Sequence, residues 1–191
     1  MGNREALLDG ARRVLVEKGY AKTTARDVAD AAGVSLAAIG YHFGSKESLL
    51  EQAFMAAMED WFDDGGEDRH DEHPPGSLER FTAFFEEVEA SFPHQRPLMR
   101  LNIEMGIEGT DNPALRAFMA RMVQFGRMEL ARELGGLDFE KDGELAGQVG
   151  SFYSILMTGL VCQYLIDQEN FPGAADLAEG LRYIAERLRP R

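Results

Sequence analysis

Cysteine is almost absent. Cys162 is the only one in 191 residues, so no disulfide closes within the chain, as expected of a reducing compartment. The opening MGNREALL has no apolar signal core, and Ala6 stands where a myristoylation pattern needs Ser or Thr. The cytoplasm is the expected location. No G-x-S-x-G, H-E-x-x-H, phosphate-binding glycine loop or paired-cysteine motif occurs. The four histidines fall near the N-terminus (His42), in an acidic loop (His70, His73) and beside a proline (His94), not in a converging set. An enzyme, a cofactor and a metal are therefore not expected. The strict alternation of a half-buried strand is missing as well, which leaves an all-α chain.

Basic charge is also in short supply. The net charge of −13 taken alone argues against nucleic acid. Its distribution reverses that. Residues 1–50 hold seven Lys/Arg against six Asp/Glu, while the remainder holds thirteen against twenty-seven. Phosphate would repel the body and not the head.

Helical signals run the length of the chain. The first segment starts near Asn3 as N-cap, carries Leu7, Leu8, Ala11, Val14 and Leu15 on one face, and stops at Gly19 with Tyr20 as a hydrophobic lock. Thr24-Ala-Arg-Asp27, a Thr cap with an acid three residues on, opens a helix to Gly33. Ser35 is expected to cap a third helix through about His42, and Ser45 a fourth with a stripe from Leu49 to Trp61. Residues 63–76, DDGGEDRHDEHPPG, read as a solvated connection, because His70, His73 and their acidic neighbours match no calcium or zinc ligand spacing. Further helices are expected over Leu78–Ser91, Leu98–Met105, from Pro113 to Gly135, from Asp142 to Asp167 and from Ala174 to Arg189.

Residues 145–166 carry no charge over 22 positions, long enough to span a bilayer. Gln148, Ser151, Ser154, Thr158 and Gln163 interrupt the stretch, acids flank both ends, and no basic residues mark an inner side. A buried helix, central to a core or shared with a second subunit, is the expectation, with no membrane partner.

Two short helices joined at Gly33 and preceded by a support helix have the layout of a helix-turn-helix, whose second helix enters the major groove. The stretch TTARDVADAAGVSLAAIGYHFGSKESLL, residues 23–50, resembles the N-terminal signature of the tetracycline-repressor (TetR/AcrR) family of bacterial regulators. The likeness includes Ala29, Ala32-Gly33-Val34-Ser35, His42-Phe43 and Ser45-Lys46-Glu47. It implies an N-terminal three-helix head (residues 1–45) on a larger helical effector-binding and dimerisation bundle (46–191), with helix 46–61 linking the two. It also implies a homodimer on a palindromic double-stranded DNA operator, most simply a repressor released by a small, mostly apolar effector.

Thr24, Arg26 and Lys46 match positions that contact DNA in the family. Thr24 can offer its hydroxyl to phosphate, Arg26 its fork to a guanine edge or a phosphate, and Lys46 an anchor to the backbone. The third helix departs from the usual pattern. Ser35, Leu36, Ala37, Ala38, Gly40, Tyr41 and His42 offer one hydroxyl before the aromatic end, and Ile39 faces the core. Leu36, Ala37 and Ala38 can meet only thymine methyls. Gly40 either permits close approach, to DNA or to the neighbouring helix, or is drift with Tyr41 and His42 taking over the phosphate contact.

In the body, the resemblance implies an effector pocket, for which Trp61, Phe85, Met99, Asn102, Ile103, Met122, Phe125, Phe152 and Tyr153 are the candidates. Helices near 142–167 and 174–189 would pair with their copies. The alternative is a helical interaction or small-molecule-sensing protein whose DNA-binding head has degenerated.

Overall fold

The computed structural model describes residues 2–63 and 72–188, and every regular element among them is a helix. In order these are α1 (Asn3–Lys18), α2 (Ala25–Ala32), α3 (Ala37–Phe43), α4 (Lys46–Asp63), α5 (Leu78–Glu108), α6 (Pro113–Gly135), α7 (Phe139–Ile166) and α8 (Ala174–Arg187). His70 and the expected helix end at Arg189 lie outside the described residues. Two compact units emerge, Met1–Asp64 with Gln95–Ala120 and Gly65–His94 with Arg121–Arg191. Compactness thus groups the three head helices with α4 and with parts of α5 and α6, rather than dividing the chain at residue 45.

In the first unit, α1 buries Leu7, Ala11, Val14 and Leu15 along one face, and α4 buries Leu49, Leu50, Ala53, Phe54 and Trp61. Both stripes follow the three-and-four spacing of an amphipathic helix. Phe54 meets Phe118 edge-on, ring centroids 6.1 Å apart. The N-cap of α1 is Gly2 rather than Asn3. The Gly2 amide donates to the Glu5 carboxylate at 3.0 Å, a bond that needs only the backbone at the cap, so Asn3 is free to enter the first turn. Gly10 explains how closely α1 and α2 cross: a Cβ there would stand 3.0–3.2 Å from Ala32.

In the second unit Phe81, Phe84, Phe85 and Phe92 are buried. Phe92 packs on Tyr164 and Phe171, with centroids 4.8 and 6.0 Å away. Arg80, itself buried, donates to the Glu133 carbonyl at 2.9 Å and pairs with the Glu133 carboxylate at 3.2 Å, tying α5 to α6. Glu89 accepts a hydrogen bond from the Ala174 amide at 2.9 Å and so caps α8, whose own N-cap, Gly173, has no side chain.

Two helix assignments are corrected. The segments expected at Leu78–Ser91 and Leu98–Met105 are one 31-residue helix that passes through Pro93 and Pro97. Each proline forfeits a backbone bond at a cost of about 3 kcal/mol. Complete burial of Phe92 before the pair and of Met99 after it, with Leu98 and Leu101 nearly so, holds the helix on both sides. The helix expected from Asp142 opens at Phe139 instead. Asp138 caps it by accepting from the Glu140 and Lys141 amides, and Asp142 returns its carboxylate to the Asp138 amide at 2.7 Å. The chain then kinks at Gly143, whose φ of 47° suits glycine.

α7 is long and apolar enough to cross a membrane by length and composition. Within the single chain it is buried along one side only. Ala146, Gly150, Leu160, Val161 and Tyr164 are buried, while Leu145, Phe152, Ile155 and Ile166 are exposed.

Candidate nucleic-acid interface

The head is fastened by short-range polar contacts. Thr24 accepts from the Asp27 amide at 3.1 Å, and Asp27 accepts from the Thr24 amide at 3.0 Å and the Thr24 hydroxyl at 2.7 Å. The capping box expected from the sequence is formed. It also occupies the Thr24 hydroxyl as donor and acceptor, so the threonine's first task is to set the start of α2. Lys18, on the last turn of α1, donates to Asp27 at 2.8 Å. Lys18 first, then the Thr24 hydroxyl and amide, hold the Asp27 carboxyl far below the usual carboxylate range. The same bond raises the Lys18 ammonium. Sequence reasoning missed Lys18: nothing in the local spacing reveals a pair made between two helices.

α2 ends at Gly33, as expected, and its φ of 67° and ψ of 29° form a left-handed cap. The turn closes through the Val34 amide to the Ala29 carbonyl at 3.1 Å. Ser35 does not cap α3 with its side chain, and α3 begins at Ala37. The backbone closes that turn instead, Ala38 to the Ser35 carbonyl and Ile39 to the Leu36 carbonyl at 3.0 and 3.2 Å. The exposed Ser35 hydroxyl is left free among the described residues.

α3 points Ile39 and Phe43 inward. The Arg4 guanidinium stands over the Phe43 ring, 5.3 Å from its centroid. Outward, Leu36 is 51% exposed and Tyr41 86%, with Ala37 and Gly40 exposed between them. Residues 36, 37, 40 and 41 share one face by helical spacing. Ala38 and His42 are half-buried on its margin, His42 edge-on to Tyr41 at 4.8 Å. Gly40 has nothing within 4 Å of the place a Cβ would occupy. The neighbouring helix therefore does not require it.

Arg26 is exposed, with no ion pair or hydrogen bond to another described residue. Lys46 is half-buried and partly committed: it donates to the Thr23 carbonyl at 3.3 Å and pairs with Glu47 at 3.4 Å. An ammonium has three donors, so these two contacts leave one for phosphate. Ser45 caps α4, accepting from the Ser48 amide at 3.0 Å, as its position predicted.

The nine effector candidates divide between the units. Trp61, Met99, Asn102 and Ile103 belong to the first, the first two buried and the others half-buried. Phe85, Met122, Phe125, Phe152 and Tyr153 belong to the second, where Phe85 is fully buried and Phe125 and Phe152 are exposed. Tyr153 lies 6.2 Å from the Phe81 ring, and burial raises its phenol. A cleft of about 290 Å³ in the first unit runs between residues 18–22 and α5 residues Arg100, Glu104, Ile107 and Glu108. None of the nine lines it.

Residues 7–53 match the family described as "Bacterial regulatory proteins, tetR family". Over 61 residues the chain is 41% identical to the HTH-type transcriptional repressor KstR2 of Rhodococcus jostii, a match covering 32% of this chain and 30% of that one. The curated relatives are thus matched over about 30% of their length, through the head. A putative TetR-family transcriptional regulator from Rhodococcus sp. superposes with a TM-score of 0.68 at 20% identity, over 95% of this chain and 97% of the other. The multidrug binding protein EbrR, complexed with imidazole, superposes with 0.67 at 22% identity, over 100% and 97%. At these identities the structures establish the fold along the whole chain, while the family match is confined to residues 7–53.

Proposed function

We propose, from the match of residues 7–53 to the tetR family of bacterial regulatory proteins, that this chain is a ligand-responsive transcriptional regulator, most simply a repressor, binding a palindromic operator as a homodimer. One observation carries the reading. The outer face of α3 is exposed, and so is the free Arg26 on the preceding helix, both on the part of the chain that escapes the body's negative charge. Such a face fits the major groove, with Arg26 and Lys46 holding phosphate or a guanine edge beside it.

The exposed residues of the last two helices support pairing with a second copy. Leu145, Phe152, Ile155 and Ile166 form one stripe of α7, and Tyr183, Ile184 and Leu188 one stripe of α8. Gly159 and Gly180 lie within these stripes in open space, which allows a second backbone to come near. Two heads held by such a pairing would meet successive major-groove faces, with spacing fixed by the dimer. An effector that prefers the conformation with misplaced heads lowers DNA affinity by that preference, and DNA lowers effector affinity equally. The fold shared with EbrR, a multidrug binding protein, is consistent with a small, mostly apolar effector here. A DNA target implies the cytoplasm.

Selection of duplexes from a random pool with the full chain tests the reading. Enrichment of a palindrome, bound in a salt-sensitive way and weakened about tenfold or more by Arg26→Ala, is the expected result. Binding indifferent to sequence and to that substitution would leave the head without its proposed role.

A further inference from the structure

Which bases the head reads is decided by what α3 has to offer. Its outward face is carbon at Leu36, Ala37 and Gly40, with the Ser35 hydroxyl before it and the Tyr41 phenol after it. In the major groove, guanine, adenine and cytosine edges present hydrogen-bonding atoms and, at most, a bare ring C–H. Thymine alone adds a methyl group. Leucine pressed on a guanine or adenine edge strips water from polar atoms and gives nothing back. Pressed on a thymine methyl, it removes apolar surface from water on both sides.

Half of Leu36 is exposed in a turn that needs no side chain of its own, since backbone bonds close it. Packing inside the head therefore covers only about half of that leucine. Gly40, one turn further along the same face, removes the side chain that would keep the helix away from a surface. Resting on the DNA-binding reading above, we propose that the operator half-site is recognised through thymine 5-methyl groups packed against Leu36 and Ala37. Hydrogen bonding comes from the margins, Arg26 and Tyr41 foremost. The operator accordingly carries thymines where α3 lies deepest, and the methyl itself is read. An apolar protein partner for the same face is the competing occupant.

The experiment is a cycle between protein and DNA. Duplexes enriched by the full chain are resynthesised with deoxyuridine replacing thymine one position at a time, which removes the methyl and leaves base pairing unchanged. Wild type and Leu36→Ala are titrated against each. At one or two positions per half-site, wild type should lose about fourfold per methyl removed. At one of those positions Leu36→Ala should bind thymine and deoxyuridine alike. The exposure of Leu36 leaves folding intact in the variant, which its helical circular dichroism confirms independently. Full tolerance of deoxyuridine, with binding still specific and dependent on Arg26, overturns the methyl readout and leaves the regulator standing. Failure to enrich any duplex overturns both and favours the protein partner.

Discussion

Gly40 in α3 and Gly150 in α7 are both mid-helix glycines, where glycine costs about 1 kcal/mol relative to alanine. In the body the cost has a visible cause. A Cβ on Gly150 would fall 2.2 Å from the Arg127 carbonyl oxygen, so α6 and α7 cross backbone against backbone. In the head nothing lies within 4 Å. One glycine is explained by the chain itself and the other only by what the chain meets. Open space alone does not establish this, since Gly106 and Gly126 share it. At Gly40 the surrounding exposed carbon face adds the second fact. Gly159 and Gly180 stand likewise among exposed apolar residues, on the face proposed to take a second copy.

The largest test of this contrast is on the outer face of α7. Ile155 is 70% exposed, so Ile155→Asp should fold as wild type does. It should sediment as a monomer, and operator affinity should drop on the order of a hundredfold as the second head loses its tether. An unchanged dimer would place the interface elsewhere. Next comes Gly150→Ala, where a backbone carbonyl must move. A loss of about 2–3 kcal/mol in denaturant unfolding is expected, helix propensity recovering only part of the strain. A neutral result would mean the two helices separate easily at that point. Gly40→Ala should do the reverse, raising stability by about 0.5–1 kcal/mol because the added methyl meets nothing and the unfolded chain loses freedom. Operator affinity should fall at the same time. A gain in stability with no change in DNA binding would make Gly40 drift.

Much of the head was legible because its signals are local. Thr24 with Asp27, Gly33 after α2 and Ser45 with Ser48 each act within a few residues, and each formed as read. Arg26 is exposed in the first turn of α2. Where the reading failed, a distant contact or the backbone had replaced the local signal. Pro93 and Pro97 announce a helix end, yet burial on either side keeps α5 whole. Ser35 looks like a cap, yet backbone bonds close the turn and leave its hydroxyl to solvent. Glu89 caps α8 from 85 residues away, a partnership no spacing announces. The effector candidates fared differently again. Apolar residues at helical spacing do not distinguish a pocket wall from a core or an interface, and Phe85 and Phe152 turned out to sit at opposite extremes of burial.

The smallest expected effect concerns the Lys18–Asp27 pair, which ties α1 to α2. Asp27 titrates lower in the folded head than the ordinary carboxyl value near 4, chiefly through Lys18 and then Thr24. A depressed carboxyl gives stability that is fully present above that ordinary value. It is lost progressively as pH falls from about 4 through the folded value. Lys18, raised in the fold, gives stability present below its ordinary value and lost only in strong alkali. The pair is therefore intact across neutral pH and fails first on the acid side. Both partners reach solvent, so salt screens the contribution and keeps it small. Asp27→Asn removes the charge. Its melting temperature should lie below that of wild type at pH 7, and the gap should narrow progressively as pH falls from about 4 towards 2. A gap that persists unchanged at pH 2 would assign the effect of Asp27 to its hydrogen bonds to Thr24 rather than to its charge.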